Sequence, residues 1–183
     1  MSTNPRPPLA MAVSFLAYLQ RRCRDDRGAL ASLRGALSEA RRPHAWPLLA
    51  GFNHAIGHPA YETVAALWAS SERQTQTGCL ADTCRVLAGT YDGKTGRFAH
   101  DSFQSRFKRM LTCDRSEIAD HIAPVVRAAQ AKDVPVNYTQ LLSDMLCWGD
   151  DVRVRWARAF WASVEEGQPD VNPALLDDSG ARE

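Results

Sequence analysis

No stretch of this sequence approaches the roughly 20 consecutive apolar residues of a membrane-spanning helix, so no membrane association is expected. The opening residues, MSTNPRPP, lack the basic start and long apolar core of a secretory leader, which makes the cytoplasm the expected location. Cysteine is sparse and odd in number: Cys23, Cys79, Cys84, Cys113 and Cys147. An odd set cannot pair completely within one chain, and these thiols are read as small buried apolar residues. Lysine is scarcer still, with 19 of the 22 basic residues being arginine. Arginine's planar donor fork suits phosphate, although a GC-rich genome also raises its use for no functional reason. Missing too are a Walker-type phosphate loop, a dinucleotide fingerprint, GxSxG and HExxH, which removes the commonest enzyme classes.

Convincing period-2 alternation is also lacking, and the apolar spacing is helical almost throughout. With 183 residues, 45% of them apolar and 23% charged, the chain can bury a substantial core. The spacing predicts helices over Leu9–Arg22, Arg27–Ala40, Trp46–Phe52, Ala60–Arg73 and Cys79–Leu87. After a loop at Gly89–His100 it predicts one opened by the cap Asp101, one through Ala131 bent or broken at Pro124, then Tyr138–Trp148 and Asp150–Val164. The expected fold is an all-α helical bundle spanning residues 9–166. Its two small lobes, about 9–90 and 98–166, share one chain and meet at the loop. Residues 1–8 and the acidic tail 167–183 are expected to be disordered.

Charge is distributed unevenly. Residues 1–115 hold 16 bases against 9 acids, whereas 116–183 hold 6 against 12. Six of those acids, with Arg182 alone opposing them, fall in Glu165–Glu183. A basic body with an acidic end permits a polyanion partner without requiring one.

Candidate sites emerge from spacing. His54 and His58 are four apart and, with Cys79 and Cys84, make a formal zinc set. Gly57 and Pro59 interrupt the helix such a site needs, so loop-capping histidines and core cysteines are the better reading; no metal or cofactor is expected. Asp150 and Asp151 point about 100° apart on a helix and, standing where an N-cap is wanted, read as capping acids, not a catalytic pair. The arginines are more ordered. Arg27, Arg34 and Arg41 recur every seven residues, so on one helix they would form a stripe, which is equally the solvent face of an amphipathic helix. Lys94 and Arg97 lie in the glycine-rich loop. In FQSRFKRMLTCDR (Phe103–Arg115), Arg106 and Arg109 share one flank beside Ser102 and Ser105, with Lys108 on the other and Arg115 just past the end. Few local acids screen them, which favours an external anion. Arg153, Arg155 and Arg158 repeat the theme, while Trp156 among them reads as a core anchor.

FQSRFKRMLTCDR followed by MLCWGDDVRVRWARAFW (Met145–Trp161), after the segments DRGALASLRGAL and WPLLAGF, resembles the CasB family over about Ala10–Val164. That family is the small subunit of Cascade, the type I-E CRISPR surveillance complex used in antiviral defence. The resemblance implies a non-enzymatic, all-helical protein, present as a pair, bracing the CRISPR RNA–target DNA hybrid and holding the displaced strand. Its implied partners are CRISPR RNA, target DNA, a second copy and the subunits CasA, CasC, CasD and CasE. Arg34, Arg106 and Arg115 match its basic positions, with Lys108 and Arg109 as helpers and Arg153 and Arg155 corresponding more loosely. Asp150 and Asp151 depart from it, standing after Trp148–Gly149 where bases are the pattern. The nucleic-acid-binding set is therefore Arg27, Arg34, Lys94, Arg97, Arg106, Lys108, Arg109, Arg115, Arg153 and Arg155. A protein-interaction module without nucleic-acid contact is the competing expectation.

Overall fold

Helix α1 (Pro7–Arg22) puts Ala12, Phe15, Leu16 and Leu19 on one buried face, starting two residues before the predicted Leu9. The computed structural model describes residues 7–161 except positions 72 and 93. The expectations for residues 1–6 and for the acidic tail lie outside the described residues.

Helix α2 (Arg27–Arg34) begins where the Asp26 carboxylate accepts the Ala29 N–H at 2.8 Å. It ends well short of the predicted Ala40, passing into a 3₁₀ turn at Gly35–Leu37. The chain folds back on Gly35 so closely that a Cβ there would meet Arg41 Cβ at 3.2 Å. Arg41 therefore lies beyond the helix, and the predicted stripe Arg27–Arg34–Arg41 does not exist as one helical face.

After a short α3 (Trp46–Leu49) comes α4 (Pro59–Trp68), every residue of which from Ala60 onward is buried. His58 caps it, its Nδ1 accepting the Ala60 N–H at 3.3 Å. Glu62, buried within α4, accepts hydrogen bonds from Trp46 Nε1 and the Gly57 N–H, each at 2.9 Å, and pairs with Arg42 at 3.4 Å. A carboxylate is tolerated in this core because these donors replace its water.

Helix α5 (Leu80–Ala88) is opened by a reciprocal cap between Cys79 and Asp82 and closed by Gly89 at φ 79°. The predicted loop 89–100 carries a small antiparallel hairpin, β1 (Tyr91–Asp92) with β2 (Arg97–Phe98), paired Tyr91 to Phe98. At two residues per strand there is too little alternation to register in sequence. Helix α6 (Asp101–Thr112) comes next, with His100, not Asp101, at its N-cap. Helix α7 (Ile118–Ala131) runs as one element through Pro124. Pro124 and Asp120 are both exposed, so water can satisfy the Asp120 carbonyl that loses its helical donor. Asn137 caps α8 (Tyr138–Leu146), and α9 (Asp150–Trp161) completes the described chain.

Helices from the two ends interleave. α1 packs on α8, α4 on α7 and α8, α5 on α6 and α9, and the buried residues form one continuous cluster. The segment before α5 and α5 itself are tied to the segment before α8: Thr75 N–H donates to Val136 O, Asn137 to Gly78 O and, from within α5, Thr83 to Pro135 O. Among the described residues no helix is long and apolar enough to cross a membrane.

Candidate nucleic-acid interface

Helix α6 turns Phe107 and Met110 into the core, with Gln104 buried beside them. Its outer surface exposes Arg106, Lys108 and Arg109, and from Ser102 to Cys113 the chain carries no acid. Among the described residues none of the three makes an ion pair. Three solvated cations on one rigid helix set up a positive field with nothing local to neutralise it. Arg106 also lies over the Phe103 ring, 5.4 Å from its centroid, and Lys132 reaches the same ring at 5.2 Å. Sequence reasoning missed Lys132. It stands just past the end of α7, 29 residues from Phe103, and only the packing of α7 on α6 brings them together.

The hairpin stands beside α6. Phe98 packs on Phe160 at 4.7 Å between centroids, and Phe160 stacks on Phe107 at 4.1 Å. Lys94 and Arg97 are exposed on this hairpin. The Asp92 carboxylate accepts the Lys94 N–H and the Thr95 hydroxyl, each at 2.9 Å, and these bonds hold its pKa below the ordinary value. Arg97 pairs with Asp101 at 3.5 Å, both largely exposed, so solvent screens the pair. Arg27 is exposed at the start of α2, without an acid partner among the described residues.

Besides Arg97, four members of the sequence-derived set have partners inside the fold. Arg34 Nε donates to Ala69 O at 2.9 Å, tying α2 to the end of α4. Arg115 donates to Leu146 O at the end of α8, where a cation is favoured. Arg153 donates to Cys113 O at 2.7 Å, pairs with Asp150 at 3.2 Å and lies 5.7 Å from the Trp148 ring centroid. Arg155 pairs with Asp144, a buried carboxylate that also accepts Trp156 Nε1 at 2.6 Å and Gln140 Nε2 at 2.7 Å. Burial pushes the Asp144 pKa up, against the hydrogen bond from Trp156 and the attraction of Arg155. The sequence offered a signal for Asp144, since an acid among Leu141, Leu142 and Met145 sits on the apolar side of its helix. Trp156 is fully buried, as a core anchor should be.

The formal zinc set separates into local roles. His54 is exposed in a left-handed backbone conformation at φ 64°, and His58 uses Nδ1 as a cap. Burial raises the Cys79 thiol to about 11 and that of Cys84 further, so both favour the neutral form.

Together these elements make a small, predominantly helical protein with exposed cations spread over its surface, three of them on α6 and two on the hairpin beside it. Residues 29–161 match the family described as CRISPR-associated protein Cse2, and the chain belongs to that family. Among solved structures it is similar to CasB from Thermus thermophilus, at 26% identity and a TM-score of 0.64, over 82% of this chain and 97% of that one. CasB from M. ruber aligns at 22% identity and a TM-score of 0.66, over 87% and 97%. A chain of a structure titled CRISPR RNA-guided surveillance complex shares the fold at 18% identity and a TM-score of 0.69, over 87% and 96%. No curated protein matches the sequence.

Proposed function

We propose that this chain is a non-catalytic small subunit of a type I-E Cascade complex in the cytoplasm. There it contacts nucleic-acid backbone through the outer face of α6 and the neighbouring hairpin. The observation that carries this reading is the run Arg106, Lys108 and Arg109, exposed and without ion pairs among the described residues, in a member of the Cse2 family. Its partners on this reading are CRISPR RNA, target DNA including the displaced strand, the other Cascade subunits and a second copy.

The physical chemistry suits that role. A subunit that tracks strands of any sequence should grip phosphate, because guide pairing already reads the bases. Exchanging a DNA duplex for an RNA–DNA hybrid is nearly balanced in free energy. Three contacts at about 1 kcal/mol each would shift that balance by roughly 100-fold. Lys94 and Arg27 are free to contribute, and Arg97 can do so by exchanging its solvent-screened pair with Asp101. Arg34, Arg115, Arg153 and Arg155 could contribute only with donors left over from their bonds within the fold.

The test is R106E/R109E in the reconstituted complex. The double variant should melt like the parent, because neither side chain holds the fold, while the target dissociates faster. An unchanged dissociation rate removes the α6 face from the site. A second reading, a protein-interaction module, is favoured by a cavity of about 580 Å³ between the starts of α1 and α5 and helices α8 and α9, lined by Leu9, Val152 and Ala159 together with Asp82, Asp151 and Arg155. Under that reading heparin and random-sequence DNA would leave the chain's capture by its protein partners undisturbed and would not themselves bind.

A further inference from the structure

The α6 face has a candidate occupant within its own chain. Helix α9 delivers Trp161 directly against α6, with its ring 5.6 Å from that of Phe107, edge to face. Phe107 is buried, whereas its sequence neighbours Arg106, Lys108 and Arg109 face outward on the same stretch of α6, so a segment running on from Trp161 would reach them by passing round that helix. The most acidic part of the sequence lies just beyond Trp161: Glu165, Glu166, Asp170, Asp177, Asp178 and Glu183, opposed only by Arg182. The first two carboxylates stand four and five residues past Trp161, a reach of up to about 14–18 Å in extended chain. That is close to the length of α6 itself, whose 12 residues span about 18 Å. The more distant acids can reach Lys132 and the hairpin.

We propose that residues 165–183 dock on the basic face of α6 and are displaced from it by nucleic acid. The proposal rests on the reading that α6 meets nucleic acid. The charges are complementary, and the tether is short yet long enough to pass round a helix about 10–12 Å across. A short tether sets an effective concentration in the millimolar range, enough to populate a contact built from individually weak ion pairs. Such a segment imitates the phosphate run that replaces it. It would suppress binding to stray nucleic acid, which offers only charge, more than binding inside an assembly that positions its strands. The contact must also be salt-labile, since its pairs lie at the surface.

Carbodiimide coupling tests this, because it condenses a carboxylate and an amine only where they touch, and the chain has just three lysines, Lys94, Lys108 and Lys132. In full-length monomer at low salt, peptide mapping should find Lys108 or Lys132 joined to Glu165, Glu166 or Asp170. The link should vanish at high salt, in R106E/R109E and on adding a random-sequence single-stranded oligonucleotide. Replacing the six acids by their amides should tighten oligonucleotide binding at low salt by about 3- to 10-fold. Absence of the link, or a link that survives both high salt and R106E/R109E, overturns the docking, and tighter binding of the amide variant would then reflect net charge alone. If the link forms and is lost at high salt and in R106E/R109E, but oligonucleotide neither binds nor displaces it, the docking stands and the nucleic-acid reading fails. If R106E/R109E weakens oligonucleotide binding while no link forms, the nucleic-acid reading stands and the docking fails.

Discussion

Asp144→Ala should be among the most damaging single substitutions in this chain, and the structure sets its size. The carboxylate is 1% exposed and receives Trp156 Nε1, Gln140 Nε2 and Arg155. Deleting it strands the indole N–H of a fully buried tryptophan, at a cost of about 1–3 kcal/mol. Arg155 loses less, because its side chain is 43% exposed and can turn to water. The vacated space adds about 1 kcal/mol. Set against this is the desolvation that Asp144 itself no longer suffers, the same burial that raises its pKa. The net expectation is about 2–4 kcal/mol, which for a chain of this length lowers Tm by roughly 5–15 °C. Thermal unfolding monitored by circular dichroism measures it, with Arg155→Ala alongside. A Tm loss for Asp144→Ala below about 2 °C, or one no larger than that of Arg155→Ala, would refute the claim that the buried indole contact is what matters.

The same group predicts a pH effect of definite sign. Because the folded pKa of Asp144 is raised, the folded chain holds a proton that the unfolded chain has lost, so this group's contribution to stability grows as pH falls through the raised value. Between about pH 7 and pH 4, wild type should gain Tm relative to Asp144→Asn, which cannot take up that proton; a constant difference would refute the assignment. Gly89→Ala should cost about 1–3 kcal/mol in urea unfolding, since φ is 79° and the new Cβ would sit 3.3 Å from Ala99 Cβ. Gly57→Ala, at φ 74° with nothing within 4 Å, should cost less, and equal losses would exclude the Ala99 contact as a cause. Arg153→Ala should cost about 1–2 kcal/mol by losing its bond to Cys113 O, while exposed Arg158→Ala should stay within about 0.5 kcal/mol in the same assay.

Much of this protein is legible in one dimension. The core faces of α1, α6, α8 and α9 and the cationic run on α6 derive from periodicity, because helical contacts fall within four residues. The family resemblance likewise rests on local blocks. Tertiary packing decided the rest. It ended α2 at Arg34 by folding Arg41 onto Gly35, and it turned Arg34, Arg115, Arg153 and Arg155 toward carbonyls and a carboxylate between 11 and 40 residues away. It also placed Lys132 over Phe103 and the end of α9 beside α6. Helical spacing shows which side chains share a face, but an arginine on an outer face can bend to a neighbouring helix end or stay in water. That choice depends on which unpaired carbonyls and buried acids the packing brings within reach, so a list of candidate cations came from the sequence and their division into free and committed came from the fold.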